Sequence, residues 1–215
     1  MYKKIDLVNH SFYTNIIMKV LSISLLNTVN KKPIFMGHVA HLAGFGFFKR
    51  TGVSEMLTFT ARMLAEQINP GQRSVVEHHE YICYCTTRVT GISGVMICDY
   101  EYPARVAFRV LTKVIGEFLQ VYSGEWYDQT IDNSLSFPQL SKILLLSQDP
   151  RAVDKVSRIQ NELESTKEIL HQTIESVLER GVKLDELVQR SNDISQHSKI
   201  FYKGAKRTNS CCSIG

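Results

Sequence analysis

From Val156 to Ala205 a largely apolar seam runs through the chain at alternating steps of three and four: Val156, Ile159, Leu163, Thr166, Leu170, Thr173, Val177, Arg180, Leu184, Leu187, Ser191, Ile194, Ser198, Phe201 and Ala205. Seven consecutive heptads are a coiled-coil pattern, since chance periodicity seldom outlasts three or four. Composition agrees. From Ala152 onward there is no proline, no aromatic residue before Phe201, and an abundance of Glu, Lys, Gln and Ser. A helix with such a stripe has to bury it against other helices.

The stripe is not uniformly apolar, and its exception restricts the partners. Arg180 stands at its middle, between Val177 and Leu184. A buried guanidinium carries five donors and costs several kcal/mol unless acceptors surround it. A parallel homodimer would set two Arg180 side chains against each other with no acceptor supplied. The position calls for partner helices carrying oxygen acceptors, and amide side chains provide these without a second buried charge. One such polar layer fixes register while lowering stability. A surface helix whose arginine reaches out to solvent remains the alternative on pattern alone.

Thr166, Thr173, Ser191, Ser198 and Ala205 are too small or polar for a tight two-stranded zipper and suit a four-helix core with larger neighbours. Gly181 and Gly204 each cost about 1 kcal/mol of helix propensity. The isolated segment is therefore expected to be largely disordered and to fold on binding.

Before this segment the periodicity is that of a mixed domain. Lys19 to Leu26 alternates, Asn30-Lys31-Lys32-Pro33 punctuates, and Ile34 to Leu42 is a second strand-like run, so a hairpin is expected. Ser54 offers an N-cap to a helix of about four turns carrying Met56, Phe59, Met63 and Leu64 and ending at Ile68, before Asn69-Pro70-Gly71. Ser74 to His79, Tyr81 to Val89 and Ile92 to Asp99 read as an antiparallel meander. Pro103 suits the first turn of a helix whose Ala107, Leu111, Val114, Ile115 and Phe118 share a face, and Ser123 to Leu146 reads as loop plus a short helix. The order β-β-α-β-β-β-α makes the fold α+β, with a five-stranded antiparallel sheet covered by helices and followed by the helical coiled-coil segment.

Composition narrows the function classes. The net charge of +4 is modest and the basic residues form no stripe interleaved with aromatics, which argues against nucleic-acid binding. No run of 18 or more apolar residues exists, so no transmembrane anchor is expected, and Asp6, Asn9, His10 and Asn15 break the N-terminal apolar stretch that a secretory leader would need. Five cysteines without a CxxC pair fit a reducing cytosol. Two of them, Cys211 and Cys212, are followed by Ser213-Ile214-Gly215, in the manner of a prenylation box with Cys212 as acceptor and Cys211 as a palmitoylation candidate. Gly215 is not among the usual final residues, and this leaves the prenyl group open. One lipid chain binds a membrane only marginally, so a second chain on Cys211, together with Lys199, Lys203, Lys206 and Arg207 at about 1 kcal/mol per charge, would supply the missing attraction.

Phe45-Gly-Phe-Phe-Lys-Arg50, Leu57-Thr-Phe-Thr60, Asp99-Tyr-Glu-Tyr-Pro103 with Arg105-Val-Ala-Phe108, Leu178-Glu-Arg-Gly181 with Lys183-Leu-Asp185, and Asn209-Ser-Cys-Cys212 together make the chain resemble the longin-type R-SNAREs, in particular the lipid-anchored kind without a membrane-spanning tail. The resemblance runs from Met18 to the end. It implies a longin domain over 18–146, a linker over 147–153, a SNARE motif over 154–208 and a lipidated tail over 209–215, with 1–17 an extension or a start assigned upstream of Met18. It also implies that Arg180 forms a central ionic layer against three glutamines of partner SNAREs. In a closed state the longin domain would fold onto the motif and sequester the lipid, with Phe45, Phe47, Phe48 and Phe59 in the region of that apolar surface. The location implied is the cytoplasm and the cytoplasmic face of Golgi, ER, endosomal or vacuolar membranes.

No enzyme site competes with this reading. Gly44-Phe-Gly46 lacks a third glycine, no GxxxxGK[ST] loop exists, and His38 with His41, or His78 with His79, has no consistent metal-ligand geometry, so neither metal nor cofactor is expected. A non-fusogenic longin adaptor and a coiled-coil homo-oligomer are the competing readings.

Overall fold

The computed structural model describes residues 20–30, 32–78, 81–157, 168–178 and 181–211, with backbone alone for 154–157 and 205–211. Strands β1 (Val20–Asn27) and β2 (Ile34–Ala40) form the expected hairpin, and β3 (Arg73–His78), β4 (Tyr81–Thr87) and β5 (Ile92–Asp99) form the meander. β5 closes on β1 in antiparallel register, with Ile23 opposite Met96 and Leu25 opposite Gly94. These five strands are antiparallel, as expected. A sixth, β6 (Ile169–Thr173), comes from the coiled-coil segment and lies parallel to β3, giving the order β2-β1-β5-β4-β3-β6.

Two helices flank the sheet on opposite sides. α2 (Ala104–Val121) buries Ala107, Leu111, Val114, Ile115 and Phe118 on one face of the sheet, where α3 (Gln139–Leu146) adds Leu140, Ile143 and Leu144. Gly94 lets α2 settle close, because a Cβ there would come within 3.1 Å of Leu111 Cδ2. The other face is covered by α1 (Phe47–Gln67), through Leu57, Phe59, Ala61, Leu64 and Ala65.

α1 begins two turns before the expected Ser54. Gly46 is its N-cap, Lys49 N donates to Gly46 O (2.8 Å), and Ser54 is an interior residue whose carbonyl accepts from Thr58 Oγ1 (3.2 Å). Gly52 is interior as well. A Cβ at that position would stand 3.4 Å from Phe201 Cδ1 and 3.5 Å from Ser198 Oγ, ordinary packing distances, so another helix lies directly over this turn of α1.

That helix belongs to the C-terminal segment, which departs from a continuous coil. After α4 (Pro150–Ser157), which starts inside the stretch expected as linker, come β6, the single-turn α5 (Ile174–Val177), α6 (Leu184–Arg190) and α7 (Gln196–Cys211). They cover the α1 side of the sheet and the β3 edge. Thr173 closes β6 and opens α5 with a capping box, its Oγ1 accepting from Ser176 N (3.3 Å) while Ser176 Oγ accepts from Thr173 N (2.9 Å).

Candidate functional site

The chemistry-bearing surface is the contact between the longin-like domain and the segment that carries the seam. β6 pairs with β3 from Arg73–Ile169 to Glu77–Thr173, so the seam residues Leu170 and Thr173 serve as strand residues. Three residues apart, they share a helix face but point to opposite sides of a strand. Accordingly Leu170 is half-buried and Thr173 exposed.

Further along, Val177, Ile194 and Ser198 are buried, Leu184 and Leu187 pack against the α1-side core, Ser191 is half-buried, and Phe201 rests on Gly52. The closed arrangement also buries three residues that the heptad reading leaves out: Ile174 at 1%, Leu178 at 7% and Val188 at 0% exposure. Each directly follows a seam residue (Thr173, Val177 and Leu187). Their signal was present in the sequence as apolar positions one step off a stripe that already satisfied the coil.

Charges lock this contact. Arg62, in the middle of α1, is 9% exposed and sits between two carboxylates. Its Nη2 is 2.6 Å from Asp132 Oδ2, its Nη1 donates to Pro33 O at 2.5 Å, and its Nε lies 2.8 Å from Asp193 Oδ2, close as an ion pair but off the hydrogen-bond direction. The guanidinium also stacks 4.7 Å over the Phe35 ring. Asp193 is shared with Lys32 Nζ at 3.3 Å. Partial burial raises the Asp132 pKa, but the Arg62 hydrogen bond, the Phe35 N–H and the Arg62 and Lys32 charges outweigh it and hold the carboxyl below its ordinary value. At the far end of the segment Glu55 Oε2 accepts from Ser195 N (2.7 Å), Lys199 Nζ donates to Gln189 O (2.8 Å), and Tyr202 Oη donates to Asp185 Oδ1 (2.7 Å). Lys199, which the sequence groups with the basic tail, is 7% exposed and belongs to this packing.

Between α1 and residues 178–193 is a cavity of about 440 Å³, with Phe59, Met63, Leu178 and Leu187 among its apolar lining and Arg62 and Asp193 among its polar lining. The four expected phenylalanines divide around it. Phe59 is buried on its wall and Phe45 packs against the same core, whereas Phe47 and Phe48 are 76% and 90% exposed and away from the cavity. Arg180, Ile159, Leu163, Thr166 and Cys212 lie outside the described residues, and for Val156, Ala205 and Cys211 only the helical backbone is described.

His38 and the three cysteines of the sheet have structural roles. His38 Nδ1 is 2.8 Å from Ser24 Oγ, and burial lowers its pKa to about 4, which keeps the ring neutral. Cys83, Cys85 and Cys98 are buried in the sheet, where burial raises their thiol pKa values, that of Cys83 to about 12. None is poised as a nucleophile.

Comparison with known proteins agrees with this arrangement. Residues 42–144 match the longin, or regulated-SNARE-like, domain family, and residues 155–212 match the synaptobrevin family. The synaptobrevin homolog ykt6 of Schizosaccharomyces pombe is 43% identical over 198 residues, covering 92% of this chain and all of the relative. The chain belongs to the longin-type synaptobrevin homologues, the R-SNAREs of vesicle trafficking. The Saccharomyces cerevisiae synaptobrevin homolog YKT6 (41%) and the Arabidopsis thaliana VAMP-like protein YKT61 (39%) align over 199 residues each, with the same coverage. Among the described residues no helix of this R-SNARE is long and apolar enough to cross a membrane.

Asp193→Ala removes the segment's contribution to the Arg62 cluster and leaves Asp132 in place. It is expected to weaken closure by about 1–3 kcal/mol. Limited proteolysis will read this as faster cleavage within residues 181–204, with the longin domain itself still resistant.

Proposed function

We propose that this R-SNARE zippers with three glutamine-contributing SNAREs into a four-helix bundle that drives vesicle docking and fusion, and that its longin domain withholds the SNARE segment until it is released. The observation that supports the second part is the double use of the seam. Val177, Ile194 and Ser198 are buried against the longin domain in the closed chain, and the same side chains are core layers of the bundle. A residue cannot fill both cores at once, so assembly requires the closed contact to open.

Within the bundle Arg180 forms the central layer, surrounded by amide oxygens from the three partners, which satisfies its donors without burying a second charge. Zippering from Val156 toward Ala205 draws the C-terminal end to the opposing membrane. Burial of each large seam side chain contributes about 1.5–3 kcal/mol gross, so the bundle supplies tens of kcal/mol before ordering costs.

A prenyl group on Cys212 and a palmitoyl group on Cys211 hold the chain to the cytoplasmic face of Golgi, ER, endosomal or vacuolar membranes, with a cytoplasmic pool in the closed form. The cavity beside Phe59, Met63, Leu178 and Leu187 supports a place for one lipid chain in that pool, since these side chains give a mixed, partly charged wall an apolar strip that lies between the two parts that separate on opening. In this reading the domain spans 18–146, the linker 147–153, the motif 154–208 and the lipidated tail 209–215.

Mixing the purified chain with glutamine-contributing SNAREs is expected to give a helical, detergent-resistant heterotetramer. Arg180→Leu should still assemble but lose discrimination among partner sets; self-association without heterotetramer would oppose the SNARE mechanism, and unchanged selectivity would oppose the central layer. Cys212→Ser should shift the chain from the membrane pellet to the supernatant in cell fractionation. Persistent membrane association of that variant would rule out the prenyl anchor.

A further inference from the structure

Phe47 and Phe48 open α1 and are 76% and 90% exposed, so their burial in the α1-side core is excluded. Their rings meet edge to face, with centroids 5.5 Å apart and planes at 84°, which holds them as one apolar knob. Exposed Lys49 and Arg50 follow directly, and Arg50 Nε donates to Phe45 O (3.0 Å), tying the cation to the base of the knob.

The C-terminal helix leads to the same end of the molecule. Glu55 accepts from Ser195 while Gly52 faces Ser198 and Phe201, so α7 runs antiparallel to α1. Beyond Phe201 the α7 backbone continues to Cys211, about 15 Å at 1.5 Å per residue, whereas α1 has about 7.5 Å left from Gly52 to Phe47. α7 therefore ends past the first turn of α1. The two converging stretches contain no Asp or Glu: none occurs from His41 to Ser54 or from Ile194 to Cys211, while Lys49, Arg50 and Lys203 fall within them and are exposed.

We propose that this end of the longin domain is itself a membrane-contact surface, in which Phe47 and Phe48 insert at the headgroup boundary of an anionic bilayer and the surrounding cations meet the lipid charge. Size and sign favour a bilayer over a protein partner. Two phenylalanine side chains offer about 300–500 Å², below the ~600 Å² per partner at the low end of stable protein interfaces. Apolar rings among cations without any Asp or Glu are what an anionic interface attracts. The contact depends on exposure and charge alone and does not depend on any lipid carried by the chain.

The test uses the full chain produced without lipid modification, floated with phosphatidylcholine vesicles and with vesicles that also contain phosphatidylserine. The chain is expected to float with the phosphatidylserine vesicles only. Phe47→Ser with Phe48→Ser should reduce that partition by about tenfold or more, with the unfolding transition unchanged because both side chains are exposed. In a second measurement Phe48→Trp should show added emission that brominated acyl chains quench, beyond the signal of Trp126, which is buried. Undiminished flotation of the double variant, no flotation of the native chain, or emission from the introduced indole that is indifferent to brominated lipid would each overturn the proposal. Because the protein carries no lipid, none of these outcomes reflects on the Cys211 and Cys212 anchor.

Discussion

The parallel pairing of β6 with β3 is the constraint from which the rest of the closed molecule follows. Without it β3 would be a free sheet edge, a row of unpaired N–H and C=O groups open to any extended chain. The SNARE segment supplies the cover from within the same chain, and in doing so commits residues 169–173 to an extended conformation that no bundle helix can share. Once β6 is placed, the capping box at Thr173 turns the chain into α5, Ile174 and Leu178 enter the core, and α6 and α7 follow along α1. Seam residues downstream are then buried because the strand has fixed where they go.

This closed packing is stable enough to form but carries identifiable weaknesses. Gln172 Oε1 is buried in β6 with no hydrogen-bond partner among the described residues, and such an orphan costs about 1–3 kcal/mol. Arg62 is satisfied partly by Asp132 and Pro33 of the longin domain and partly by Asp193 of the segment. Without the segment Arg62 would still keep Asp132 and Pro33, so the longin domain would not be left with an unpaired buried cation.

The longin-like half was legible because its signals are local and agree with one another. The β5 limits and the buried face of α2 stand where alternation and helical spacing put them. Ser54 misled because a good capping residue is also tolerated inside a helix. The C-terminal half was legible only as a continuous helix. Heptad spacing describes such a helix, and it says nothing of an extended Leu170–Thr173 or of burial at Ile174, Leu178 and Val188. The Arg62–Asp132–Asp193 cluster joins residues far apart in the chain, and no spacing rule brings them together.

In the free chain the SNARE segment is held as a sixth strand beside β3. Amide hydrogen exchange across β6 in the isolated full-length protein tests this directly. Because β6 is an edge strand, protection is predicted at the alternate amides between Leu170 and Thr173 that face β3, with this alternation lost and continuous helical protection gained on assembly with glutamine-contributing SNAREs. Exchange of those amides at unstructured rates in the isolated chain, while β3 stays protected, would contradict it.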